Sequence, residues 1–202
     1  MNCSAKTFLQ ETYDFALVQP FDYILVAEHG RYRPIVKVKR DLTAIFVTLD
    51  AELLTLADLQ NRHLALPPLT SAISILGLNI LREAKLKDIQ VSYYRNHFSC
   101  LQSVIIGNTD ACITNSIPIE NFAKEFQINF RSFYESRALP HILFIAHERI
   151  SSEEFDQVHD ALIGLSNTPE GVRILAGSGW PEGFEIATDE QYDVVRNLDR
   201  RQ

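Results

Sequence analysis

No stretch of this sequence approaches the roughly 18 consecutive apolar residues that a membrane-spanning helix requires, so direct insertion into a bilayer is not expected. The opening residues Met1-Asn2-Cys3-Ser4-Ala5-Lys6 also lack the apolar core of a signal peptide. Basic residues are in deficit: 19 Lys and Arg stand against 26 Asp and Glu, a formal net charge of −7. There is no Lys/Arg stripe to neutralise a phosphate backbone, so a nucleic-acid partner is not expected. Cysteine is scarce. Cys3, Cys100 and Cys112 make an odd number without close spacing, which excludes a disulfide framework or a zinc site. Buried free thiols are the expectation, because a Cys100–Cys112 bridge would require an oxidising compartment. Enzyme signatures are absent as well: no P-loop, no GxGxxG, no GxSxG and no HExxH. Glu153, Glu154 and Asp156 read as the solvated start of a helix, and His141 and His147 have no metal-binding partner in the pattern. No cofactor and no metal are expected. Internal repeats, low-complexity segments and flexible linkers are missing too.

What remains is an ordinary globular composition of 202 residues, 46% hydrophobic and 22% charged, long enough for two small lobes. Short apolar runs alternate with helical stretches, which predicts an α/β fold with mixed, mainly parallel sheets. Strands are expected at 14–18 (a buried one), 33–38, 43–49, 63–66, 89–94, 111–114, 129–134 and 141–146. Helices are expected at 5–11, 21–29 with Gly30 as its stop, 71–84, 98–106, 120–126, 152–165, 169–176 and 189–198, and a single helical turn at 55–59.

Three strand-to-helix junctions carry the chemistry. The first is Leu64-Ala65-Leu66-Pro67-Pro68-Leu69-Thr70-Ser71-Ala72, where two prolines make a rigid turn and hydroxyls stand at the start of a helix. The free N–H groups of a first helical turn, joined by Ser and Thr hydroxyls, make an anion site. The simpler alternative is that Thr70 or Ser71 only caps the helix. The second is Tyr94-Arg95-Asn96-His97-Phe98-Ser99, with Asn96 and His97 at a helix N-terminus. A histidine there is either a ligand contact or an ordinary satisfied side chain. The third is Val18-Gln19-Pro20-Phe21-Asp22-Tyr23, in which Gln19 offers an amide and Tyr23 a hydroxyl on an aromatic wall. Phe21 and Tyr23 could equally be packing residues. In open α/β sheets, ligands sit outside the carboxyl ends of strands, where these junctions lie.

Taken in order, these segments resemble the periplasmic solute-binding proteins of phosphonate, phosphate and phosphite ABC transporters. The likeness rests on Tyr13-Asp14-Phe15-Ala16-Leu17-Val18-Gln19-Pro20-Phe21-Asp22-Tyr23, on Glu28 to Pro34, and on Pro68-Leu69-Thr70-Ser71-Ala72. It continues through Asn96-His97, Gly107-Asn108-Thr109-Asp110-Ala111, Thr168-Pro169-Glu170-Gly171 and Asp189 to Val195. The resemblance implies the type 2 periplasmic binding fold, with one lobe from residues 1–40 and 148–202, incomplete at its N-terminal side, and a second lobe from 41–147. It implies a small anionic ligand held between the lobes by Tyr23, Thr70, Ser71 and His97, with the backbone N–H groups of Ser71 and Ala72. It also implies an ABC permease as partner and a periplasmic or extracellular location. A homodimer stays open as a way to complete the first lobe. Three departures stand out. Ala72 replaces a hydroxyl residue, His141 follows Leu139-Pro140 where the family often carries an acid that binds an amine, and the family's first strand–helix–strand has no counterpart before Ser4. Two alternatives to a transport receptor are a ligand-sensing domain of the same fold in a signalling protein, and an enzyme using His97 as general base.

Overall fold

The computed structural model describes residues 12–29 and 31–199. The helix expected at 5–11, Cys3 and the helix stop at Gly30 lie outside the described residues. In chain order the elements are β1 (Phe15–Val18), α1 (Pro20–His29), β2 (Tyr32–Val38), β3 (Ile45–Thr48), β4 (His63–Leu66), α2 (Ala72–Glu83) and β5 (Gln90–Tyr93). There follow α3 (His97–Ile105), β6 (Ala111–Thr114), α4 (Ser116–Phe126), β7 (Arg131–Glu135), β8 (Leu143–His147), α5 (Ser152–Gly164), α6 (Pro169–Ser178), β9 (Phe184–Ile186) and α7 (Asp193–Asp199). The chain divides into two compact units, residues 1–41 with 139–202, and residues 42–138. The second crossing therefore falls at Leu139, not at 148. The reason is β8, which pairs antiparallel with both β1 and β2 and so belongs with the first unit.

In the first unit the strand order is β1-β8-β2-β9, antiparallel at every described pair. Its core gathers Ile35, Val36, Val38, Ile142, Ala146, Leu175 and Phe184, covered by Phe155, Val158 and Leu162 of α5. The helix α5 starts where its acids predicted. The Ser151 hydroxyl accepts from the Glu154 N–H at 3.2 Å, and the Glu154 carboxylate accepts from the Ser151 N–H at 3.1 Å, a reciprocal cap. The strand β1 is not the buried strand expected. It pairs only with β8 among the described residues, and Phe15 and Leu17 are 37% and 41% exposed. Two elements differ from expectation: β9 is an additional strand, and the helix expected from 189 begins as a 3₁₀ turn at Glu190–Tyr192 before α7.

The second unit is a five-stranded sheet in the order β5-β4-β6-β3-β7. The parallel core expected from the strand–helix alternation is β5-β4-β6, while β3 joins β6 and β7 in antiparallel fashion. Every residue of β3 and β6 is buried, which is what a strand covered by helices on both faces requires. One face packs Cys100, Leu101, Val104 and Phe122 of α3 and α4 against Ile45, Val47, Ala65 and Cys112. The helix α2 comes close to the sheet at Gly77, where a Cβ would meet the Ile113 side chain at 2.6 Å. The expectation of free thiols is corrected here: Cys100 of α3 and Cys112 of β6 form a disulfide, with Cα atoms 5.8 Å apart. Packing of α3 onto β6 brings together two residues that the spacing alone did not pair. Closing a loop of this length restricts the unfolded chain by about 3 kcal/mol in the chain-entropy account. Replacing both cysteines by alanine should therefore lower unfolding stability by about that amount, read from urea midpoints.

Candidate functional site

Because β5, β4 and β6 are adjacent and parallel, their carboxyl ends share one edge of the sheet. Leu66 and Tyr93 are register partners, and the Tyr94 N–H donates to the Leu66 carbonyl at 2.8 Å. From that edge each strand turns directly into a helix: β4 into α2, β5 into α3 and β6 into α4. Each helix is capped by the side chain before it. The Ser71 hydroxyl accepts from the Ser74 N–H at 3.1 Å, the Asn96 carbonyl from the Ser99 N–H at 2.8 Å, and the Asn115 carbonyl from the Ile117 N–H at 3.2 Å. Three helix N-termini thus bring partial positive charge and first-turn N–H groups to one edge. That is an arrangement suited to an anion.

The first junction is tightly organised. The Ser74 hydroxyl donates to the Pro67 carbonyl at 2.9 Å, the Ser71 N–H donates to the Pro68 carbonyl at 2.8 Å, and the Ser71 hydroxyl donates to Ser74 Oγ at 3.2 Å. The Ser71 N–H, expected to meet the ligand, is therefore engaged within the turn. The N–H groups that the geometry of α2 leaves for a ligand are those of Ala72 and Ile73. The methyl of Ala72 is buried where a hydroxyl was expected from the resemblance, and Thr70 is exposed beside it.

At the second junction, Asn96 is the cap and His97 the first residue of α3. The His97 Nδ1 lies 2.9 Å from the hydroxyl of Thr114, the fully buried last residue of β6. Burial pulls the His97 pKa down to about 4, so the imidazole is neutral at pH 7 and carries a single N–H. In the tautomer in which Thr114 donates to Nδ1, the ring proton sits on Nε2, a donor suited to an oxyanion.

A further junction on this edge, Thr114-Asn115-Ser116, was missed in the sequence although it has the same form. The helix was expected to begin at Glu120, but α4 begins at Ser116. Pro118 obscured this, yet it sits in the first turn, where a proline removes no intrahelical hydrogen bond. The signal that could have found it is the Asn115 cap directly after the apolar strand.

Gln19 and Tyr23 belong to the first unit. The Gln19 carbonyl accepts from the Tyr23 N–H at 2.9 Å, opening α1. Tyr23 is 1% exposed, and its hydroxyl donates to the Asp189 carboxylate at 2.6 Å. Its ring packs edge-on against Tyr192, 4.9 Å between centroids. Burial first, and then the hydrogen bond to Asp189, push the Tyr23 pKa far up. Burial alone would raise the Asp189 carboxyl, but the hydrogen bonds from Arg196 and Tyr23 and the Arg196 charge bring it below the usual range. The Tyr23 ring is thus packed, and the proton of its hydroxyl is given to Asp189. The structure groups Thr70, Ser71, Ala72, Asn96 and His97 on one sheet edge of the second unit, whereas Gln19 and Tyr23 are part of the first unit. Among the described residues no group of three or more His, Cys, Asp or Glu side chains is placed to hold a metal ion. None of the described helices is long and apolar enough to cross a membrane.

Residues 4–192 match the family model of periplasmic substrate-binding proteins of phosphonate ABC transporters. The chain belongs to this family. A search of characterised proteins by sequence returned no match. Among solved structures, the chain is similar to PhnD1 of Prochlorococcus marinus in complex with methylphosphonate, with a TM-score of 0.82 at 15% identity over 98% of this chain and 81% of that one. A binding-protein component of an ABC phosphonate transporter from Pseudomonas aeruginosa gives 0.76 at 12% identity, over 96% and 70% of the two chains. The periplasmic aliphatic sulphonate binding protein SsuA of Escherichia coli gives 0.62 at 16% identity, over 96% and 71%. At these identities the structural likeness establishes the fold, an α/β periplasmic-binding-protein fold, and the family model establishes the membership.

Proposed function

We propose that this phosphonate-family protein is a non-catalytic receptor of an ABC transport system, and that it holds a small phosphonate, phosphate or phosphite at the β5-β4-β6 edge. The observation that carries the reading is the convergence of the Ser71-, Asn96- and Asn115-capped helices beside the neutral imidazole of His97. Ala72 and Ile73 supply backbone donors, Thr70 and Ser71 hydroxyls, and His97 a ring N–H. Charge-assisted hydrogen bonds of this kind contribute about 1.5–3 kcal/mol each, so a handful of them overcomes the cost of immobilising a small anion. Tyr23 and Gln19 of the first unit and Asn96 beside His97 remain part of the proposal as further ligand contacts. With His141 after Leu139-Pro140, a ligand bearing an amine is disfavoured relative to a simple alkyl one. The methylphosphonate in the Prochlorococcus marinus relative is the natural first ligand to test. The periplasm is the proposed location and an ABC permease the proposed partner; the Cys100–Cys112 disulfide agrees with an oxidising compartment.

Isothermal titration with methylphosphonate, phosphate and phosphite tests the reading, and the absence of heat with all three would overturn it. Ser71→Ala should weaken the bound anion by about 1–3 kcal/mol. As Ser71 is also the cap of α2, the same change should lower stability by about 1 kcal/mol. A stability loss without a change in affinity would reduce Ser71 to a cap.

A further inference from the structure

The helix α3 is stitched to β6, and to the turn leading into it, by three successive side-chain rungs. His97, Cys100 and Ser103 are spaced by three residues and so lie along one side of the helix. They meet Thr114, Cys112 and Thr109 in turn. The His97 Nδ1 lies 2.9 Å from Thr114 Oγ1, the two cysteines are joined, and Ser103 Oγ lies 2.7 Å from Thr109 Oγ1. Cys112 and Thr114 are two residues apart on one strand, so they share a face of the sheet. The top rung is part of the candidate anion site. The middle rung, one helical turn below, is covalent and fully buried.

We infer that the Cys100–Cys112 disulfide is a positioning element for the anion site: it fixes the first turn of α3 against β6 and so holds the His97 imidazole on Thr114 with its other nitrogen left for the ligand. The inference rests on the proposed anion site for its functional meaning, but its geometric content stands independently. A single hydrogen bond between two side chains does not fix a ring, since the helix's first turn frays readily. A covalent link at position 100 removes that freedom, because the turn between residues 97 and 100 then has both its ends tied to one strand. An imidazole so tied also stays desolvated, which agrees with its titration near pH 4.

The test is the double variant Cys100→Ala, Cys112→Ala, with Cys100→Ala, Cys112→Val as a second version that refills the volume of the sulfurs should the first not fold. Two readouts apply. The His97 titration, followed by ring proton or nitrogen NMR, should move up from about 4 toward 6.5 as the turn loosens and water enters. Methylphosphonate affinity should fall about tenfold, as expected for a contact group displaced by a fraction of an ångström. Leu175→Ala, in the core of the first unit, serves as a control that lowers the melting temperature without moving the His97 titration. An unchanged His97 titration in a folded double variant would overturn the inference. If the unaltered protein binds none of methylphosphonate, phosphate and phosphite, the anion-site reading fails, while the titration still decides whether the disulfide positions His97.

Discussion

On acidification from pH 7 to pH 4, the protein is expected to lose about 6 kcal/mol of folding stability through two histidines alone. His97 and His141 are both held near pKa 4 in the folded protein, against 6.5 for the free side chain. For His97 the cause is burial. For His141 it is burial first, then the charges of Lys37 and Arg40, opposed in part by Glu182. The sign is fixed by linkage. A depressed folded pKa means that the unfolded chain takes up protons first as the pH falls below 6.5. The stabilisation is complete above that value and is lost progressively down to about pH 4. One unit of pKa is about 1.4 kcal/mol, so each histidine contributes about 3 kcal/mol over the window. The lowered carboxyls of Asp58, Glu154 and Asp189 act in the same direction, but below the ordinary carboxylate range, whereas Asp22, raised by burial, acts against it. Urea unfolding at half-unit intervals between pH 4 and 7 measures the slope. His97→Gln and His141→Gln should each flatten it by about half, and a wild-type profile level across this range would refute both assignments.

The two kinds of histidine also show how much of the molecule was legible in advance. Asn96 and His97 could be placed at a helix start because capping is local: an extended run, a short polar side chain and an apolar period lie within ten residues. The same holds for Ser71 and for the reciprocal Ser151–Glu154 cap. What sequence could not show is where those local pieces meet. That Thr114 receives His97, that Cys100 reaches Cys112, and that Tyr23 gives its hydroxyl proton to Asp189 all depend on how separate elements pack, from neighbours such as α3 and β6 to segments at opposite ends of the chain. The unit boundary was misplaced for the same reason. The run at 141–147 looks like any other buried strand until its partners β1 and β2, more than a hundred residues earlier, are known. The strand β9 has only three residues, too few to display a period of two. The exposure of β1 could not be read either, since its apolar residues have the composition of a covered strand while its partners cover only one edge. The candidate site was therefore found through its caps, and its internal hydrogen bonds were found only in the fold.

Within α6, two glycines six residues apart should respond oppositely to one added methyl group. Gly171 lies in the first turn, buried, with its N–H donated to the Thr168 hydroxyl at 3.0 Å. A Cβ at this position would fall 2.0 Å from the Leu165 carbonyl oxygen and 2.7 Å from its carbon. These are backbone atoms of the 3₁₀ turn Leu165–Asn167 that leads into the helix, so no side-chain rotation relieves the overlap. Either the Thr168 cap breaks or the turn swings away from α6, and with it Leu175 leaves the core of the first unit. Gly171→Ala should therefore cost about 4 kcal/mol, at the upper end of overpacking and cap-loss effects combined. Gly177 sits in the same helix with an ordinary helical backbone, and a methyl added there would meet nothing within 4 Å. At that position the change to alanine reduces the entropy of the unfolded chain and restores helix propensity, so Gly177→Ala should stabilise by about 0.5–1 kcal/mol. Urea midpoints of the two single variants, measured side by side at pH 7, decide the matter. Equal destabilisation at both sites would mean that α6 tolerates no methyl on either face, and a neutral Gly171→Ala would mean that the turn at Leu165 is free to move.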